Sequence, residues 1–253
     1  MNDVSADVLQ AYEVRDNLLG DGVECNIAAA LKLAEVCSHP EAKWIHGVFA
    51  NSKVSTKEEA RTVLLRHSAD PRALAFSVLL KEDWTLDDGM RKAAEQGNAF
   101  AQAVVAMFSE GEERIENARK SAAQNERNGL FIFGIVCKNE LQDKDRSIEN
   151  LRAAARLKHG LAAMMLVDMF ELTSPERWFW LGQLAKKEQS SFLLRDLKAL
   201  MEEKQEPSKE VWESVGRALS DGHVSTEKLE IFGRKVEKDL LFFAHKAVED
   251  LKN

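Results

Sequence analysis

Apolar residues recur at helical spacing along most of the chain, in short runs broken by glycine, proline, asparagine or aspartate. Val8, Ala11, Tyr12, Leu18 and Leu19 predict a helix over Ala6–Leu19, stopped at Gly20-Asp21-Gly22, where glycine takes the positive φ of a helix end. Asn26 suits the N-cap of a second helix over Ile27–Cys37, which His39-Pro40 ends. Ser55 and Glu58 read as a capping box for a helix reaching about Ser68. Asp70-Pro71-Arg72-Ala73 then repeats His39-Pro40-Glu41-Ala42 and opens a helix to about Lys81. Thr85 caps a helix ending at Glu95-Gln96, and another starts at Ala99 after the Gly97-Asn98 break. Further helices are predicted over Ile115–Gln124, Gly129–Asn139, Ile148–Leu157, Gly160–Leu172, Glu176–Lys187 and Phe192 to about Lys204. Ser174-Pro175 is an N-cap followed by proline at the first helical position. After Glu206-Pro207-Ser208, two more helices follow, Lys209–Leu219 and Thr226–Leu251.

The helices come in pairs with a common register. Ala42, Ala73, Ala101, Gly129 and Ala163 are small residues at equivalent places, separated by 31, 28, 28 and 34 residues. Such intervals are those of two-helix repeats, which bury their apolar faces only by stacking on neighbours. Five residues further on, the glycine position reads Gly47, Val78, Ala106, Gly134 and Asp168. The best preserved unit, Leu86–Gly111, contains Lys92-Ala93-Ala94-Glu95-Gln96-Gly97-Asn98-Ala99-Phe100-Ala101-Gln102. That segment resembles the signature of Sel1-like repeats, helical pairs related to the tetratricopeptide class. Leu19–Phe49 is the next best match. The resemblance implies an all-α fold: a right-handed α-solenoid of about six helix-turn-helix repeats over residues 1–204, with capping helices over 205–253.

Net charge is −7 at pH 7, and no basic cluster offsets it, so nucleic acid is not expected as a partner. Cys25, Cys37 and Cys137 form no CxxC pair and are read as reduced thiols among apolar neighbours. The N-terminal stretch lacks the apolar core of a signal peptide, and no apolar run approaches a membrane span. Membrane insertion is not expected, and a reducing, cytoplasmic setting is.

No catalytic motif is visible. The histidines at 39, 46, 67, 159, 223 and 245 lack ligand spacing, so no metal is expected. His39 and His159 fall at turns, where they are read as capping backbone carbonyls. No phosphate-cradling glycine loop or nucleophile elbow occurs, and no cofactor is expected. Asp87-Asp88 and Glu112-Glu113 are read as helix-start acids or solvated loop.

Two features point to partners. Three and six residues after each small residue stand two apolar columns: Ile45, Phe76, Val104, Ile132 and Leu166, then Val48, Leu79, Met107, Ile135 and Met169. Together they form one stripe per helix, which is either inter-helix core or an apolar concave face needing a cover. The resemblance puts these helices on the concave side. The C-terminal helix Thr226–Leu251, a second copy of the chain or a partner helix would serve as cover. The second feature is Trp178-Phe179-Trp180. Successive helical residues lie about 100° apart, so the three rings cannot all face inward. Trp178 and Trp180 are candidate anchors for a partner. The expected function is a non-catalytic scaffold or adaptor for other proteins. A structural subunit of a homo- or hetero-oligomer, and a small-molecule binder or enzyme using the groove, are the alternatives.

Overall fold

The structure, a computed structural model, describes residues 4–20, 23–81, 85–185, 190–202 and 207–221. The expected helix over Thr226–Leu251, and with it any cover it supplies, lies outside the described residues. Among the described residues there are fourteen helices and no strand. The chain divides into two compact units, 1–159 and 160–253.

The first unit holds α1 (Ala6–Leu19), α2 (Ile27–Val36), α3 (Pro40–Phe49), α4 (Lys57–Arg66), α5 (Pro71–Leu79), α6 (Asp88–Glu95), α7 (Ala99–Phe108), α8 (Gly111–Ala123), α9 (Arg127–Asn139) and α10 (Lys144–Arg156). Each packs on the next, and alternate helices also touch, α1 on α3, α5 on α7 and α7 on α9. This is the stacking of helical pairs that defines an α-solenoid.

Helices start earlier than their apolar residues suggest. α8, α9 and α10 begin at Gly111, Arg127 and Lys144 because their first turns are polar, and Glu126 and Asp143 cap the last two. The capping box of α4 is Thr56 with Glu59, one residue later than expected. Glu59 Oε2 accepts from the N–H groups of both Ser55 and Thr56, so the box captures Ser55 without using it as the cap. Likewise Asp87, rather than Thr85, caps α6, its carboxylate accepting from the Met90 N–H.

The small-residue register has a packing cause. The third residue of α3, α5 and α7 is Ala42, Ala73 and Ala101, each wholly buried. In α9 it is Gly129, where a Cβ would run into the Ser121 side chain and come 2.9 Å from its carbonyl carbon. By the same count the equivalent residue in α11 is Ala162, fully buried, one place before the Ala163 of the sequence alignment. Gly134 is also needed for close approach, since a Cβ there would meet Leu151 Cγ at 2.8 Å, whereas the space beside Gly47 is open. We expect Gly129→Ala to destabilise the chain by about 1–3 kcal/mol through overpacking of α8 on α9. A lowered urea midpoint at unchanged slope reports it.

The turns repeat as well. Gly97, Asn125 and Lys158 all have positive φ (88°, 56° and 68°) and directly precede Asn98, Glu126 and His159 at the starts of α7, α9 and α11. Asparagine tolerates this conformation and glycine adopts it without cost; lysine is the strained member of the set.

The second unit contains α11 (Gly160–Met169), α12 (Pro175–Ala185), α13 (Ser190–Glu202) and α14 (Lys209–Asp221), with α12 packed on the other three. Arg177 ties three of them. Its guanidinium donates to the carbonyls of Val167 and Phe170 (2.7 and 2.6 Å), and it pairs with the buried Asp196 on α13. The C-terminal carbonyls of α11 thus gain donors.

Candidate functional site

The first unit contains a cleft of about 420 Å³. One wall is a single face of α1, formed by Val8, Ala11, Tyr12 and Arg15, residues spaced three and four apart. The facing wall is made by the N-terminal ends of α3, α5, α7 and α9. Their N-caps are His39, Asp70, Asn98 and Glu126, spaced by the same 31, 28 and 28 residues as the small residues. The repeat therefore brings one helix start per unit to the same place.

Helix α1 is clasped across this cleft to the α8–α9 turn, more than a hundred residues away. Arg15, 2% exposed, donates to Glu126 Oε1 at 2.7 Å. The other oxygen of Glu126 accepts from the Gly129 N–H, so one carboxylate both caps α9 and neutralises Arg15. The Arg15 guanidinium also lies over the rings of Tyr12 and Phe100, 4.7 and 4.5 Å from their centroids. Arg127 makes a two-pronged pair with Asp16, at 2.9 and 2.6 Å. The Tyr12 hydroxyl donates to the Asn125 carbonyl and accepts from the Arg127 N–H. Burial, in opposition to ionisation, and the nearby Glu126 carboxylate push the Tyr12 hydroxyl up to about 12. Burial alone would lower the Arg15 guanidinium, but Glu126 and Glu41 outweigh it and hold it firmly charged.

Tyr12 is the sole tyrosine, so it reports on the clasp directly. Its pKa is raised on folding, so the protonated hydroxyl contributes stability below about pH 10 that is lost as pH climbs towards 12. Near-ultraviolet titration of the tyrosinate is expected to show a midpoint near 12; a midpoint at the ordinary value of 10.0 would mean that Tyr12 is solvated and the clasp open.

Outside the clasp, Arg72 pairs with Asp70 at 2.6 Å and lies over Trp44. His39 Nδ1 accepts from the Glu41 N–H, so His39 caps an amide rather than a carbonyl as expected. His159 instead stacks on Phe131, with centroids 4.2 Å apart. Cys37 and Cys137 are buried and Cys25 is half-buried, and all three are free thiols. Burial raises Cys25 and Cys137, which keeps them protonated. Among the described residues, no group of three or more His, Cys, Asp or Glu side chains is placed to hold a metal ion.

The two apolar columns separate by burial. Ile45, Phe76, Val104, Ile132 and Leu166 are buried core, at most 6% exposed. Val48, Leu79, Ile135 and Met169 are half-buried, and Met107 is 50% exposed. The i and i+3 positions of one stripe thus point into the inter-helix core and towards its rim. Leu79, Val104 and Met107 do meet, with Leu19, Phe100 and Phe108, around a second, apolar groove of about 260 Å³. Trp178 and Trp180 are buried and Phe179 carries the exposed ring of the three. Trp178 Nε1 donates to the Leu172 carbonyl at 2.8 Å. Only Phe76 of the sequence candidates reaches the cleft. Tyr12, Arg15, Glu41 and Glu126 were missed. A charge at position 15 on the face of Ala11 and Leu18, and polar caps spaced like the small residues, were the available signals.

Stacked helical pairs around a cleft define the first unit as a helical-repeat structure. Among solved structures, the chain is similar to the crystal structure of a Sel1 repeat protein from Oxalobacter formigenes, at 17% identity, covering 89% of this chain and 75% of that one, with a TM-score of 0.48. No family model matches the chain, and no curated protein matches it. No helix among the described residues is long and apolar enough to cross a membrane.

Proposed function

We propose that the chain is a non-catalytic scaffold that receives a segment of a partner protein in the cleft between α1 and the starts of α3, α5, α7 and α9. One observation carries this reading. The cleft combines an apolar lining, from Val8, Ala11, Phe76 and Phe100, with the amide-bearing residues Asn98, Gln124 and Asn125. Apolar surface with a few fixed polar groups is what a docked peptide requires. The clasp holds the cleft's width in advance, which lowers the cost of ordering on binding. Partners are other proteins, in a cytoplasmic setting.

The test is affinity capture from the native cell with the wild-type chain and with Val8→Trp, which fills the cleft from its half-buried rim. Loss of the captured partner, with helicity by circular dichroism retained, supports the reading. Capture that survives the filled cleft overturns it. A second reading, a structural subunit of an assembly, draws support from the apolar groove at Leu79, Val104 and Met107. Light scattering of the purified chain separates the two, since a monomer at micromolar concentration is incompatible with permanent burial of that groove between copies.

A further inference from the structure

We propose that the cleft selects a partner segment carrying a lysine or arginine side chain, and that Glu41 is the group that receives it. The proposal rests on the cleft being the docking site and adds the charge of what docks.

The charges around the cleft almost cancel. Arg127 is matched by Asp16, and Arg72 by Asp70. Arg15 is matched by Glu126 at 2.7 Å. Glu41 is left over. Among the described residues its ionic neighbour is Arg15 at 4.0 Å, beyond hydrogen-bond distance and already committed to Glu126. The Glu41 side chain is 30% exposed and lines the cleft. Of the carboxylates named here it is the one most weakly compensated, and an incoming group meets it.

Four helix starts beside it would ordinarily favour an anion. Here most of that positive potential is already spent. Pro40 and Pro71 stand first in α3 and α5 and have no N–H. The next amides, of Glu41 and Arg72, donate to His39 and Asp70. In α9 the Arg127 N–H goes to Tyr12 and the Gly129 N–H to Glu126. In α7 the Ala101 N–H goes to Asn98. Two of the four caps are themselves carboxylates, and Glu41 sits in the first turn of α3. An added anion would face Glu41 and Glu126 with few amides to stabilise it. A cation would find Glu41 in a cleft also lined by the Phe76 and Phe100 rings, on a chain whose net charge is −7.

The test is an NMR titration of the full ¹⁵N-labelled chain with three pools of short peptides sharing one apolar framework and differing only at a central position. That position is arginine or lysine in the first pool, glutamine in the second and glutamate in the third. The first pool is expected to move the amide signals of Gly97, Asn98 and Asn125 with an affinity about tenfold or more above the third. Glu41→Gln, isosteric and partly exposed, is expected to remove most of that advantage, and added salt to weaken it in the wild type. Equal affinity in all three pools, or preference for glutamate, overturns the charge selection while leaving a docking cleft in place. Cleft signals unmoved by every pool overturn both the selection and the docking reading beneath it. Retention of the basic preference in Glu41→Gln removes Glu41 as the receiving group.

Discussion

Replacing Arg15 with leucine is expected to cost about 3–5 kcal/mol, because it leaves the Glu126 carboxylate buried and uncompensated. Glu126 is 5% exposed, so water does not take over the neutralisation. The change also removes the cation held between the Tyr12 and Phe100 rings. Adding Glu126→Gln to Arg15→Leu is expected to restore most of the loss. Glutamine keeps an oxygen to accept the Gly129 N–H but carries no charge to bury. Urea unfolding of the two single variants and the double variant measures the coupling. An Arg15→Leu cost below about 1 kcal/mol, the size of an exposed pair, would show that the clasp is solvated.

The second large effect is in the other unit. Trp178→Ala is expected to cost about 3–5 kcal/mol, since the ring is wholly buried and its removal leaves a cavity at the centre of α12's contacts. It also strips the Leu172 carbonyl of its donor. Phe179→Ala, one residue along, is expected to change stability by less than about 1 kcal/mol, because 46% of that residue already faces solvent. Thermal unfolding of the two variants side by side tests the assignment. Equal losses would mean that both rings pack.

The contrast between these neighbours shows how far periodicity reaches. The 100° step between residues requires that one of three consecutive rings face outward. It does not say which, because that depends on where α13 and α14 press against α12. The apolar columns pose the same problem. Helical spacing puts Val104 and Met107 on one stripe, yet Val104 is core and Met107 rim. A stripe is wider than the contact line between two helices, and only the packing angle decides where that line falls.

The cleft was the least visible feature. Its polar side chains are helix caps and a charge on an apolar face, and each has an ordinary local reason to be present. Asp70 and Asn98 satisfy the amides of Arg72 and Ala101 whatever lies beyond them. Nothing within a single repeat shows that Glu126 must also neutralise an arginine 111 residues earlier.

By itself, the sequence determined the helices, their breaks and the interval between them. Those follow from signals acting over a few residues: caps, prolines, glycines and the small residues that let adjacent helices close. Tertiary structure decided that α1 returns to the α8–α9 turn, that Arg15 is buried there, and that four helix starts share one cleft. Each pair turns slightly on the last, and whether α1 meets the α8–α9 turn depends on the sum of those turns. That sum is a property of every interface together, and no local pattern records it.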